Sequence, residues 1–236
     1  MIQPGIIIVF FGKEREALIT LADIKANKEV DVFIRKGDEY LHAMGFTEHS
    51  YRHLDLVSHI AGNVLKRLGH KKREVELAAI AGYLHDIGNV VSRHDHGAVG
   101  AVIAFNILSK MGASPEDIAD VISAIGNHEE EYGQPVSNIS AALILGDKSD
   151  VHRSRVRNRE VASFDIHDRV NYAVQRSFLN VDEGQKAIIL ELDIDPEIST
   201  IMEYFEIFLV RMMMCRRAAA FLNRSFGLVV NGAKLL

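Results

Sequence analysis

Histidine and aspartate side chains at the ends of apolar helical stripes are the most chemically suggestive feature of this 236-residue sequence, which has 11 histidines and no tryptophan. Four predicted helices each carry an apolar face that ends on a possible metal ligand. A polar group on a buried face costs free energy unless a partner satisfies it, and histidine is the commonest metal ligand. A shared metal ion is the economical partner for this set, which comprises His53, His85, Asp86, His128 and Asp147.

The elements that position these residues follow from the 3.6-residue period of apolar positions. Five helices are predicted in the region of the candidate ligands, over about 53–68, 73–87, 97–111, 115–128 and 137–147. Before them, the sequence favours a strand or a loosely attached arm at Ile6–Phe11 and helices at Lys13–Lys25 and Val30–Met44.

The pattern changes near residue 160. Alternating apolar positions between Tyr172 and Ile194 predict a β-hairpin, a long helix follows over about 196–222, and a last strand is predicted at Phe226–Val230. We therefore predict a mainly α protein with a helical domain over 1–157, whose motifs fall within about 48–150, and a small α+β (ββαβ) unit over 158–236. That unit should be structural: an antiparallel sheet backed by the long helix, with a free edge available to join two chains.

Composition excludes several functional classes. The net charge of −5 gives no general attraction to nucleic acid, and no apolar run approaches the ~20 residues of a membrane-spanning helix. The single cysteine, Cys215, excludes intrachain disulfides and a cysteine-rich zinc module. We expect a cytoplasmic protein with a small-molecule substrate, without a membrane or a stable nucleic-acid partner.

The order His53 … His85-Asp86 … His128 … Asp147 resembles the HD-domain superfamily of metal-dependent phosphohydrolases. Three local contexts carry the resemblance, which covers about residues 48–150: the segment from His53 to Ala61, Gly82-Tyr-Leu-His-Asp-Ile-Gly88, and Leu145-Gly-Asp147-Lys148. The resemblance implies an all-helical core around the metal ligands.

Two further motifs are similar to the two-metal branches of that superfamily, namely His96-Gly-Ala-Val-Gly100 and Ile125-Gly-Asn-His128-Glu129. By this resemblance, one ion is held by His53, His85, Asp86 and Asp147, and a second by Asp86, His96 and His128, with Asp86 bridging. His49 competes with His53, and His94 competes with His96. Asn89, Glu129 and the missing Gly-Tyr-Pro depart from the HD-GYP branch, which disfavours a cyclic-di-GMP substrate.

The resemblance implies hydrolysis of a nucleotide or related phosphoester by a metal-activated bridging hydroxide. The two divalent ions would be iron, manganese or zinc, with magnesium possible. Asp86 and Lys148 are the candidate catalytic residues, and His49 or His94 is a candidate general acid. Arg153, Arg155 and Arg157 are candidate phosphate-binding residues, but they fit a solvated connector equally well.

Two other functions share these motifs. Some HD-fold proteins are di-iron oxygenases with the same ligand set, and the ligands alone do not separate them from phosphohydrolases. A non-enzymatic nucleotide sensor, with the C-terminal unit as a dimerisation module, is the third hypothesis. The retention of all the ligands argues against the sensor, which does not need them.

Overall fold

The protein, analysed as a computed structural model, is described over residues 18–158 and 164–236. This part of the chain contains nine α-helices and two short 3₁₀ helices at Ile87–Val90 and Arg153–Arg155. The α-helices are α1 (Leu21–Ala26), α2 (Lys28–Ala43), α3 (Tyr51–Arg67), α4 (Lys72–Leu84), α5 (His96–Lys110), α6 (Pro115–Gly126), α7 (Asn138–Ser149), α8 (Ile166–Ala173) and α9 (Ile201–Phe221). The prediction of a mainly α protein with a small C-terminal α+β part is confirmed.

Four strands form one sheet in the order β1-β2-β3-β4, with β1 at Val174–Asp182, β2 at Ala187–Ile194, β3 at Ser225–Val230 and β4 at Ala233–Lys234. The antiparallel β1–β2 pair is the predicted hairpin. The prediction of a wholly antiparallel sheet is wrong, because β2 and β3 are parallel. The long helix α9 connects them, and a helical crossover returns the chain to the start of a parallel neighbour.

Two helix boundaries differ from the sequence prediction. Helix α1 starts only at Leu21 because the Thr20 side chain accepts a hydrogen bond from the backbone N–H of Asp23 and so caps the helix. Helix α8 replaces the expected start of the first strand, since Asp165 caps it in the same way. The predicted strand at Ile6–Phe11 and the first part of the predicted helix at Lys13–Lys25 lie outside the described residues.

Close backbone approaches bring the predicted ligands together. Helix α4 packs on α3 so tightly that a Cβ atom at Gly82 would lie 2.7 Å from the Cα of Ser58. A Cβ atom at Gly88 would lie 2.0 Å from the carbonyl oxygen of His96, so only glycine lets the loop after α4 meet the start of α5. Helix α7, which carries Asp147, is buried along almost its whole length.

Buried side chains from α1 to β3 form one continuous hydrophobic core. The division into 1–157 and 158–236 stays a prediction, as does the role of a free sheet edge in dimerisation. No helix in the described ranges is both long enough and apolar enough to cross a bilayer.

Candidate metal centre

The six predicted ligands lie side by side in the interior. His53 is in the first turn of α3, His85 and Asp86 follow α4 directly, and His96 begins α5. His128 follows the end of α6, and Asp147 lies in the last turn of α7. All six are at most 8% exposed, so the fold gathers ligands from five helices into one buried cluster.

The four histidines of the cluster present the same ring atom to its centre. The Nδ1 atoms of His85, His96 and His128 each lie within 3.0 Å of the carbonyl oxygen three residues earlier, and that of His53 lies 2.7 Å from a carboxylate oxygen of Asp150. Because these oxygens only accept hydrogen bonds, each Nδ1 carries the proton. The Nε2 lone pair of each ring is then available to a metal ion.

The Nε2 atoms approach one another in pairs. The Nε2 atoms of His53 and His85 are 3.2 Å apart, and those of His96 and His128 are 3.1 Å apart. Two lone pairs at this separation repel each other unless a cation lies beside both. Ligands about 2 Å from one ion stand at roughly this distance from each other, so both pairs have the spacing of a shared ion.

Asp86 lies between the two histidine pairs. Its Oδ2 atom is 3.3 Å from His85 Nε2 and 3.5 Å from His53 Nε2, whereas its Oδ1 atom is 3.2 Å from His96 Nε2. The buried Oδ2 atom accepts no hydrogen bond from the residues that the structure describes. A buried carboxylate oxygen without a donor fits a metal ligand, because a cation would satisfy it.

Three overlapping groups in the described part of the chain have the geometry to hold an ion: His53, His85 and Asp86; His85, His128 and Asp147; and Asp86, His96 and His128. The third group is the predicted second ion site. Asp147 Oδ1 lies 3.5 Å from His53 Nε2 and 3.6 Å from His85 Nε2, beside the first group. The alternatives His49 and His94 belong to none of the groups.

The charges of the cluster suit a bound cation. Burial lowers the pKa of His85, but the carboxylates of Asp86 and Asp147 outweigh burial and raise this pKa to about 10. Burial raises the pKa of Asp86, but the neighbouring histidines, His85 first, bring it well below its usual range. The two carboxylates therefore favour a positive charge beside His85, and a divalent cation would supply it.

Asp150 supports His53, a role that was not predicted from the sequence. Its carboxylate is buried and accepts hydrogen bonds from His53 Nδ1 and from Arg52 Nη2, the latter at 2.8 Å. Burial raises the pKa of Asp150, but His53 and Arg155 outweigh it and lower the pKa. Asp150 lies one turn after Asp147 at the end of α7, and only the packing of α7 on α3 shows what it contacts.

The three predicted phosphate-binding arginines do not converge on the cluster. Arg155 is 3% exposed, and its guanidinium donates to the carbonyl oxygens of Asp150 and Glu48, so the prediction that it binds substrate is corrected to a structural role. Arg157 pairs with Asp38, and Arg153 lies 5.2 Å above the ring of Tyr172. Their positions favour the alternative prediction of a connecting segment.

Lys148 contacts the carboxylates of two neighbouring side chains. Its Nζ atom lies 2.7 Å from Asp147 Oδ2 and 3.7 Å from Glu130 Oε1, and Glu130 in turn accepts a 2.7 Å hydrogen bond from Arg211 in α9. The ammonium group therefore holds Asp147 in place. A direct contact of Lys148 with substrate, the role expected from the sequence, has no support in this position.

The two candidate general acids, His94 and His49, differ in burial. His94 is exposed, whereas His49 is buried with its ring centroid 5.6 Å from that of His53. Nδ1 of His49 donates to the carbonyl oxygen of Thr47 at 2.7 Å. Burial and Arg155 hold the pKa of His49 well below its usual range, so the ring is neutral at pH 7 and its Nε2 atom has no proton to give.

One basic side chain at the cluster was not singled out in the sequence. Arg93 precedes α5, and its Nη1 atom lies 3.4 Å from His96 Nε2 and 4.0 Å from Asp86 Oδ1. It lies three residues before His96 in the sequence, and none of the motifs that indicate the ligands includes it.

Three comparisons relate the chain to known proteins. A family model described as HD domain matches residues 47–173. A protein of Methanocaldococcus jannaschii described as uncharacterized is 26% identical over 196 residues, which cover 72% of this chain and 74% of that protein. The crystal structure of a predicted HD superfamily hydrolase from an uncultured Thermotogales bacterium is similar to 57% of this chain and 75% of its own, with 23% identity and a TM-score of 0.41.

Proposed function

Because the chain belongs to the HD domain family, we propose that it is a metal-dependent phosphohydrolase that acts on a nucleotide or a related small phosphoester. The observation that carries the proposal is the convergence of four histidine Nε2 atoms on two buried carboxylates, those of Asp86 and Asp147. Imidazole and carboxylate ligands suit iron, manganese or zinc, with magnesium as a further candidate.

The proposed assignment uses two ions. His53, His85, Asp86 and Asp147 would hold one ion, and Asp86, His96 and His128 would hold the other. Divalent ions in these positions lower the pKa of bound water towards neutrality and offset the charge on phosphoryl oxygens. Each of the three overlapping groups could hold a divalent ion, so the cluster also fits a site with a single ion.

Neighbouring side chains would orient the proposed metal ligands. Asn89 donates to Asp86 Oδ1 at 3.0 Å, which fixes the plane of the carboxylate between the two histidine pairs. Lys148 holds Asp147, and Asp150 holds the ring of His53 with its Nε2 atom inward. These contacts prepare the cluster before substrate binds, which lowers the reorganisation needed during the reaction.

The substrate is proposed to be small. The net charge of −5 gives no general electrostatic attraction to nucleic acid. The cluster is buried, and the Arg93 side chain beside it is 28% exposed. We propose that a compact phosphoester approaches the cluster from the side of Arg93.

The test begins with elemental analysis of the full chain after loading with manganese, iron or zinc. Phosphate release is then measured with p-nitrophenyl phosphate, nucleoside mono-, di- and triphosphates and dinucleoside polyphosphates. We expect metal-dependent release from at least one of them, and none from Asp86→Asn, which keeps the shape of the side chain. A fully loaded wild type that hydrolyses none of these compounds would contradict the proposal.

The same preparations separate the other two hypotheses. Oxygen uptake by the iron-loaded protein, together with an iron-dependent absorption band, would favour an oxygenase over a phosphohydrolase. Nucleotide binding without turnover or oxygen uptake would favour a sensor.

A further inference from the structure

Five buried or half-buried arginines of the described chain are held by nearby protein acceptors, whereas Arg93, beside the metal cluster, has only long polar contacts. The held arginines are Arg52 with Asp150, Arg73 with Asp117, Arg155 with backbone carbonyls, Arg157 with Asp38 and Arg211 with Glu130. Each has a hydrogen bond of 3.0 Å or less. Their guanidinium groups are therefore committed to the fold.

Arg93 differs from these five arginines. Its closest polar contacts among the described residues are Asn89 Oδ1 and His96 Nε2, both 3.4 Å from Nη1, and the pairing with Asp86 is longer still at 4.0 Å. The guanidinium carbon lies 5.7 Å from the centroid of the Phe46 ring, which limits where the side chain can turn. The side chain is 28% exposed, so solvent and ligands reach it.

The contact with His96 cannot persist when an ion is bound. Nδ1 of His96 donates to the carbonyl oxygen of Arg93, so Nε2 has one lone pair, and this pair serves either Nη1 or a metal ion. With an ion on His96, the guanidinium lies beside a second positive charge and loses one of its two acceptors, which leaves Asn89 Oδ1 at 3.4 Å. An anion that contacts both the ion and Nη1 restores the balance of charge.

We propose that Arg93 binds the phosphoryl group of the substrate, with Nη1 donating to a phosphoryl oxygen on the side of the cluster formed by Asp86, His96 and His128. The inference rests on the proposed function and deepens it by naming the phosphate-binding side chain. The planar guanidinium fork matches the spacing of phosphoryl oxygens and binds them in pairs, which an ammonium group does not. Arg93 thus takes the role for which Arg153, Arg155 and Arg157 were candidates in the sequence.

The experiment measures binding of inorganic phosphate to the manganese-loaded full chain by calorimetry, in wild type, Arg93→Ala and Arg93→Lys. We expect Arg93→Ala to weaken phosphate binding by about ten- to hundredfold, the usual range for loss of hydrogen bonds to a charged group. Arg93→Lys should recover only part of the affinity. Manganese content should stay at the wild-type value in both variants, since the carbonyl oxygen that holds His96 belongs to the backbone.

Arg176→Ala is the matched control, because Arg176 also lies above an aromatic ring, that of Phe178 at 5.3 Å, but on strand β1. It should bind phosphate as wild type does. Equal phosphate affinity in wild type and Arg93→Ala, or no phosphate binding by loaded wild type, would overturn the inference.

Hydrolysis is measured separately on the same samples. Wild type that hydrolyses a phosphoester while Arg93→Ala keeps full phosphate affinity refutes the role of Arg93 alone. Arg93-dependent phosphate binding without hydrolysis of any phosphoester refutes the proposed function alone.

Discussion

The two halves of the metal cluster are held in different ways. The inner half, which comprises His53, His85 and Asp147, lies on or directly after the tightly packed helices α3, α4 and α7. The outer half, His96 and His128, lies at the start of α5 and after α6. Asp86 joins the halves through its two oxygens.

The difference extends to the charged groups behind each half. Behind His53, the buried carboxylate of Asp150 is paired with Arg52 and Arg155. Beside His96 stand Glu129, which is partly exposed, and Arg93, whose polar contacts are long. We interpret the inner half as the part that fixes an ion and the outer half as the part that meets the substrate.

The largest effect on metal content is expected at Asp86, which lies between the two halves. In Asp86→Ala, both histidine pairs lose their shared carboxylate, so metal content should fall from about two ions per chain towards none, and hydrolysis should be lost. Elemental analysis after metal loading and gel filtration measures this. Asp193→Ala, at an exposed position of β2, is the control and should keep wild-type metal content. Retention of one tightly bound ion in Asp86→Ala would show that the halves do not depend on a common ligand.

Removal of an outer ligand should separate the halves. His128→Ala takes away one of the paired Nε2 atoms but leaves His53, His85 and Asp147 in place, so we expect loss of mainly one ion and a severe loss of activity. His96→Ala should behave in the same way. A loaded wild type with about one ion, unchanged in His96→Ala, would refute the two-ion assignment and leave the inner half as the whole metal site.

Apolar periodicity predicted five of the six clustered side chains because these signals are local, whereas His96 was predicted only through the resemblance to the HD-domain superfamily. A histidine that ends an apolar stripe is visible within one helix, as at His53, and Gly88 marks the helix end beside His85 and Asp86. The parallel pairing of β2 with β3 is not visible in this way, since it depends on where α9 packs. Alternation alone suits either strand direction.

The supporting charges were harder to predict for the same reason. Arg155 looked like a phosphate-binding residue because four arginines alternate after Asp147, but its guanidinium bonds a carbonyl oxygen 107 residues away, that of Glu48. Asp150 reaches His53 across 97 residues. Only the packing of α7 on α3 decides which charges are buried and paired, and single-residue patterns do not contain it.

Asp150→Asn tests the buried carboxylate that supports His53 in the inner half. The asparagine keeps the shape but removes the charge that holds His53 Nδ1–H and Arg52, so affinity for the inner ion should fall by about 10- to 100-fold, as expected for a residue behind a metal ligand. Competition with a metal chelator measures the affinity. Asp150→Glu should restore part of it, and Asp193→Asn should have no effect. Unchanged affinity in Asp150→Asn would mean that packing of α3, rather than the carboxylate, fixes the His53 ring.

Glu129→Gln is the matching change in the outer half, and we expect the smallest effect there. Glu129 Oε1 lies 2.9 Å from His96 Nδ1 and also accepts the backbone N–H of Gly97, but the carbonyl oxygen of Arg93 lies 3.0 Å from the same Nδ1. His96 therefore keeps an acceptor when the charge of Glu129 is removed, and the amide oxygen of glutamine can still accept from Gly97. Affinity for the outer ion should fall by less than about tenfold, below the range expected when the sole partner behind a ligand is lost. The same chelator competition, run beside Asp150→Asn, compares the two halves directly. A larger loss in Glu129→Gln than in Asp150→Asn would reverse the comparison and make the outer half the one that depends on a charged support.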